Sequence, residues 1–122
     1  MPGRKLALPR KRILKRRNEF QRVYHAGKSY AGRYLILYVF QNKEGQKDLV
    51  GFAAGKKLGC AVVRNRVKRI LREAYRQNQL KLRPGVTLLL VGRKSCVKAK
   101  SQEAVQEFSK LMERAKLVQE KC

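Results

Sequence analysis

Residues 56–78, KKLGCAVVRNRVKRILREAYRQN, carry the densest set of side chains able to act on an anion. At ~100° per residue, Val63, Val67, Ile70, Leu71 and Ala74 fall on one side of a helix spanning about Ala61 to Asn78. Arg64, Asn65, Lys68, Arg69, Arg72 and Arg76 fall on the broadly opposite side, with Arg66 flanking. Glu73 is the one large acidic residue nearby, so internal ion pairs cannot neutralise this face. Its charge is to be met from outside, and phosphate oxygens match the bidentate fork of a guanidinium. A charge run is most often a merely solvated face, but this density of a single sign argues against that here. A recognition helix in a DNA major groove is a further alternative. Such a helix normally sits on a small all-helical unit, whereas this one lies between strands.

The rest of the chain agrees with a polyanionic partner. Thirty-one Lys and Arg stand against eight Asp and Glu, a formal net charge of +23 over 122 residues. Neutralised phosphates release counterions, which makes nucleic acid the favoured partner. A membrane surface is the rival, but no helix pairs a Lys-rich face with exposed Trp, Phe or Leu. No run approaches the ~20 apolar residues of a membrane span, and no secretory signal is visible. Hydrolytic chemistry by the protein itself would need clustered carboxylates or paired histidines. Glu19, Glu44, Asp48, Glu73, Glu103, Glu107, Glu113 and Glu120 are scattered, and His25 is the only histidine. Cys60, Cys96 and Cys122 lack the spacing of a zinc site and read as free thiols in a reducing cytosol.

The elements that position the basic helix follow from periodicity and punctuation. Residues 1–17 read as a basic arm, expected to be partly disordered until it meets phosphate; a mere solubilising tail is the alternative, but the purely cationic bias favours contact with RNA. Asn18 is expected to cap a short helix with Gln21 at the capping-box position and Gly27 as its stop. Phe20, Val23 and Tyr24 recur within it at helical spacing. RYLILYVF, from Arg33, is a strand whose alternation puts Tyr34, Ile36, Tyr38 and Phe40 on one face and Leu35, Leu37 and Val39 on the other. Asn42 to Lys47 is a turn, and residues 49–55 are a second strand expected to pair antiparallel with the first. Pro84 and Gly85 close a loop before VTLLLVG (86–92), a continuous apolar run of the kind covered on both faces. Ser101 is expected to cap a last helix striped by Ala104, Val105, Phe108, Leu111, Met112 and Ala115. The whole is one α+β domain, residues 1–122, in the order α-β-β-(β)-α-β-α.

GCAVVRNRVKRILREAYR, residues 59–76, resembles the arginine–asparagine–arginine signature of the bacterial ribonuclease P protein component. The resemblance continues upstream through RNEFQRVYHAGKS (17–29) and RYLILYVF, and downstream through the apolar strand and VGRK (91–94). The chain departs from the family at Ala53–Gly55, where Ser-containing residues are common, and at Cys60, a position usually polar.

The resemblance implies an α/β sandwich, a mainly antiparallel four-stranded sheet with a left-handed β-α-β crossover around the signature helix, although the general rule predicts the opposite hand. It implies a protein component of an endoribonuclease whose catalysis resides in the RNA subunit, with Mg²⁺ held mainly by that RNA and by substrate. Partners would be the catalytic RNA and precursor tRNA, in the cytoplasm, with no membrane and no obligate protein partner. Arg64, Asn65, Arg66, Lys68, Arg69 and Arg72, with Arg76, would meet the catalytic RNA. Phe20, Tyr24 and Tyr38, with Tyr34 on the same strand face, would line a cleft for the single-stranded 5′ leader. Single-stranded bases stack on such rings with little sequence preference. For Phe20, core and cleft are evenly matched as readings, because apolar aromatics are usually buried. Lys56, Lys57, Arg93 and Lys94, with Arg16 and Arg17, would add phosphate contacts at the rim. A ribosomal-type or RNA-chaperone protein without a role in cleavage is the alternative; it explains the basic face but not an aromatic cleft beside it.

Overall fold

The structure, a computed structural model, describes residues 12–117. In chain order it holds α1 (Arg17–Ala26), β1 (Lys28–Ala31), β2 (Leu35–Gln41), β3 (Val50–Ala53), α2 (Ala61–Asn78), β4 (Val86–Gly92) and α3 (Ser101–Arg114). Short 3-10 turns at Lys56–Leu58, Gln79–Lys81 and Lys94–Lys98 link them. The sheet order is β1-β2-β4-β3. β2 pairs antiparallel with β1 and β4, while β3 pairs parallel with β4.

The expected antiparallel pairing of residues 49–55 with β2 is therefore wrong, because β4 stands between them. Burial explains the insertion. Every residue of β4 except Val91 is buried, so the strand needs cover on both faces and partners on both edges, and only a central position supplies them. On one face Leu88 and Leu90 join Leu35 and Leu37 of β2, Phe52 of β3, and the inner sides of α2 and α3. On the other face Leu89 meets Leu14 and Val23. The sheet thus separates α2 and α3 from α1, and α1 covers the smaller cluster.

Helix ends depart from the expected caps. α1 begins at Arg17, and the Glu19 carboxylate, rather than Gln21, accepts the Arg16 backbone N–H at 3.3 Å. Asn18 lies inside the first turn. α3 likewise starts at Ser101 itself; Glu103 accepts the Lys100 N–H at 2.8 Å. In both cases a carboxylate in the first turn satisfies an orphan amide and faces the positive end of the helix dipole. Gly27 ends α1 as expected. A Cβ there would lie 2.6 Å from the Val23 carbonyl oxygen and 2.8 Å from that of Val39, so glycine lets the helix end pass against β2.

The β1–β2 hairpin is held from outside the sheet. Glu107 on α3 accepts backbone N–H bonds from Arg33, Tyr34 and Leu35 at 2.5, 2.6 and 3.0 Å. Of the basic arm, residues 1–11 lie outside the described residues. The part beyond them docks on the sheet: Ile13 forms a parallel bridge with Val50, and Leu14 donates its N–H to the Val50 carbonyl at 2.8 Å. The Leu14 side chain is buried.

Candidate nucleic-acid interface

α2 is built as one buried and one charged side. Val67, Ile70, Leu71, Ala74, Tyr75 and Asn78 are buried against the sheet and α3. The expected cationic residues divide by what they touch. Arg64, half-buried, donates Nε–H to the Ala54 carbonyl at 3.0 Å. Arg66 donates to the carbonyls of Val97 and Ala99. Arg72 lies with its guanidinium carbon 5.5 Å from the Phe52 ring centroid. Arg76 is paired with Glu73 at 2.6 Å, and Gln77 takes the other carboxylate oxygen at 2.7 Å. Asn65, Lys68 and Arg69 form no hydrogen bond or ion pair among the described residues. So Arg64 and Arg66 brace the two flanks of the helix, and Asn65 and Arg69 stand exposed between them. A guanidinium carries five donors, so the braced arginines keep N–H groups for an external anion. Arg76, with its charge answered by Glu73, is the weakest candidate of the set.

At the head of this helix Gly59 adopts φ 139°, and Cys60 follows as the N-cap. The backbone amides of Val63 and Val62 hold the Cys60 thiol below its ordinary pKa. Cys96 is the opposite case: burial, with the charge of Glu107, pushes its thiol up to about 11. Both are free; Cys122 lies outside the described residues.

On the other side of the sheet, α1 leaves one row uncovered. Register places Ala31, Ile36, Val91 and Ala53 side by side across the four strands. Paired residues point to the same face, and this row ranges from half-buried to exposed. The adjoining row, Ser29, Tyr38, Leu89 and Gly51, runs beneath α1. Gly51 permits that approach, since a Cβ there would sit 2.8 Å from Leu14 and 3.0 Å from Phe20. Tyr24 and Tyr38 meet edge-on, ring centroids 4.7 Å apart. Tyr24 is 40% exposed, and partial burial together with Tyr38 raises its phenol pKa. Neither hydroxyl has a hydrogen-bond partner among the described residues. Phe20 is half-buried against the Leu14–Val23–Leu89 cluster and beside Gly51 of the adjoining row.

Tyr34 is not part of this group. It precedes β2, its ring packs against the larger cluster, and its hydroxyl donates to Glu103 on α3 at 3.0 Å. Strict alternation placed it with Tyr38, but the three backbone N–H bonds to Glu107 turn the chain at Arg33–Leu35 before the strand begins. The backbone N–H of Lys100 and the Tyr34 hydroxyl in turn hold the Glu103 carboxyl below its usual range.

Of the expected rim, Lys56, Lys57, Arg93 and Lys94 lie toward the Leu35–Gly92 end of the sheet, whereas Arg16 and Arg17 lead into a first turn of α1 that lies beside Asn42 and Thr87 at the other end. Lys56 and Lys57 are exposed on one 3-10 turn, Lys94 opens another, and the two turns pack together. Arg93 spends one N–H on the Gly32 carbonyl at 2.9 Å. Arg16 and Arg17 are exposed at the start of α1. A Cβ on Gly55 would meet nothing within 4 Å, so this position borders open space. Ala31, Ala53 and Val91 escaped the sequence reading as site residues. Val91 sits in an unbroken apolar run whose faces cannot be told apart without register, though Ile36 was already on the correct face.

Among the described residues no three of His, Cys, Asp and Glu gather to hold a metal ion. No helix among them is long and apolar enough to cross a membrane.

The family model for Ribonuclease P matches residues 8–116. The chain belongs to the ribonuclease P protein family. It is 41% identical over 106 residues to the ribonuclease P protein component of Natranaerobius thermophilus, covering 87% of this chain and 91% of that one. To the ribonuclease P protein component of Symbiobacterium thermophilum it is 43% identical, covering 87% and 92%. The RNase P protein of Staphylococcus aureus superposes with a TM-score of 0.77 at 27% identity, over 88% of this chain and 98% of that one. The α+β architecture is thus that of the ribonuclease P protein family.

Proposed function

We propose that this chain is the protein subunit of a ribonuclease P ribonucleoprotein, binding the catalytic RNA through α2 and the 5′ leader of precursor tRNA along the open row beside α1. The observation that carries this reading is the coexistence, in one family member, of a cationic helix face with a single ion pair among the described residues, Arg76–Glu73, and a separate open apolar row edged by Tyr24 and Tyr38. Asn65, Lys68 and Arg69 would meet phosphates of the catalytic RNA, with the free N–H groups of Arg64, Arg66 and Arg72 at their flanks. Leader bases would stack on Tyr24 and Tyr38 and rest on Ile36, Val91 and Ala53, their phosphates met by Lys56, Lys57 and Lys94. By fixing the leader, these residues would hold the scissile junction in register without moving a proton themselves. Mg²⁺ bound by the RNA and substrate would supply the activated water. A cytoplasmic setting agrees with the free thiols of Cys60 and Cys96.

The test is cleavage of precursor tRNA at low Mg²⁺ by a bacterial ribonuclease P RNA with and without this chain. Cleavage at the mature 5′ end that depends on the protein is the expected result. Absence of stimulation by folded, RNA-bound protein would favour a ribosomal-type or chaperone role instead.

A further inference from the structure

At the Gln41–Val86 end of the sheet, opposite Lys56, Lys57 and Lys94, lies a groove of about 460 Å³. Lys28 of β1, Arg83 of the loop before β4, and Arg114 and Lys116 at the end of α3 line it, with Tyr30 and Phe40 in its wall. No Asp or Glu is among its described lining residues, and none of the four cations has an ion pair among the described residues. Two guanidiniums are already oriented by carbonyls: Arg114 donates to Ala31 at 3.2 Å and Arg83 donates Nε–H to Lys116 at 3.0 Å. Lys116 is held at φ 58°, in the left-handed region that favours glycine.

Cations at a helix C-terminus ordinarily complement its dipole, which accounts for Arg114 and Lys116. It does not account for Lys28 and Arg83, which arrive from two other elements. The β1–β2 register ends at Lys28 opposite Val39, so Phe40 and Gln41 have no strand beside them on the β1 side. Backbone polar groups therefore add to the same wall. Converging cations, polar backbone, two aromatic side chains and room for a nucleotide suit a phosphodiester chain.

We propose that this groove is a second RNA-backbone site, engaging a segment distinct from those met by α2 and by the open row. The proposal rests on the chain acting as an RNA-binding subunit, and it makes the protein a clamp between two parts of its ribonucleoprotein. The phosphates could belong to the catalytic RNA or to precursor tRNA.

The full chain carrying Lys28→Ala and Lys116→Gly tests it, since glycine accepts the backbone at residue 116 without strain. Lys43→Ala with Lys110→Ala, two exposed lysines elsewhere, serves as the charge-matched control. Affinity for the catalytic RNA, and affinity of the assembled enzyme for precursor tRNA, are each measured across salt concentrations. The groove variant should lose about fivefold or more in one of the two, with the salt slope falling by ~1–2, and the RNA affected identifies the source. The melting temperature should be no lower than that of wild type, and Lys28→Ala alone should give a smaller loss of RNA affinity of the same kind. Equal behaviour of groove and control variants on both RNAs would overturn the proposal. A groove variant that loses RNA affinity, in a wild-type background that never stimulates cleavage, would support the site and overturn the subunit reading.

Discussion

α2 presents charge from a helix whose opposite side is buried in the main core, whereas the open row beside α1 presents apolar and aromatic groups that also line the smaller core. The outward residues of α2 divide: Arg64, Arg66, Arg72 and Arg76 touch the protein, whereas Asn65, Lys68 and Arg69 have no hydrogen-bond or ion-pair partner among the described residues. Phe20 and Tyr38 back the cluster of Leu14, Val23 and Leu89 while facing outward. Binding and stability are therefore separable on the helix and entangled on the sheet. If both surfaces act as proposed, electrostatic recognition is carried by side chains free of packing duties, while stacking recognition takes its rings from the core's own edge.

The largest expected effect tests the helix side. Alanine at Asn65, Lys68 and Arg69 together should weaken binding to the catalytic RNA by about a hundredfold and lower the salt slope by ~2. Thermal stability should stay within about 0.5 kcal/mol of wild type. A matching fall in melting temperature would break the separation. Next comes Glu107→Ala, which strips the Arg33, Tyr34 and Leu35 amides of their acceptor. It should cost about 2–4 kcal/mol in denaturant unfolding, and a loss near zero would mean that the hairpin holds without it.

Smaller effects sharpen the sheet side. Tyr24→Ala and Tyr38→Ala should each reduce the advantage of a leader-bearing substrate by about tenfold, from ~1–3 kcal/mol per stacked base. Only Tyr38→Ala should also lower the unfolding free energy. Equal destabilisation by both would contradict the 40% exposure of Tyr24. Thiol labelling probes both regions in one experiment. Cys60, its pKa lowered by helix amides, should alkylate readily below the usual thiol range and be protected by bound catalytic RNA. Cys96, raised to about 11 and buried, should stay unreacted until the chain unfolds. His25→Ala should be the mildest, changing cleavage rates by less than about twofold, since the proposed function gives it no proton to move; a collapse would implicate the protein in the chemistry itself.

Much of this was legible in the residues, unevenly and for physical reasons. α2 runs from Ala61 to Asn78 as its periodicity implied, because 18 residues of alternating core and cation leave one solution. The apolar run 86–92 is one strand, buried on both faces. What local patterns could not carry was pairing. LVGFAAG looks like the second arm of a hairpin with β2, and only the burial demand of β4 shows why another strand intervenes. β1, four residues and mostly exposed, has too little apolar signal to stand out. The caps failed because Ser and Asn are intrinsic cappers, while here Glu19 and Glu103 reach back instead. Tyr34 failed because the bonds that reorient its backbone come from Glu107, 73 residues away. The cationic face needed only sequence; the membership of the open row needed register.

The parallel join of β3 to β4 carries a consequence for how the protein is made. β3 has no strand neighbour until the chain has passed through all of α2 and delivered β4, and β2 likewise waits for β4 to cover its inner edge. On a ribosome releasing roughly 5–20 residues per second, the β1–β2 hairpin can form early, but the sheet cannot close until about residue 92 has emerged. The basic helix is then a loop of the closing step, tied at one end through Arg64 to the Ala54 carbonyl. A nascent chain stopped before β4 would expose the helix's apolar side together with its cations. If the chain meets RNA as proposed, folding and readiness to do so arrive in the same event.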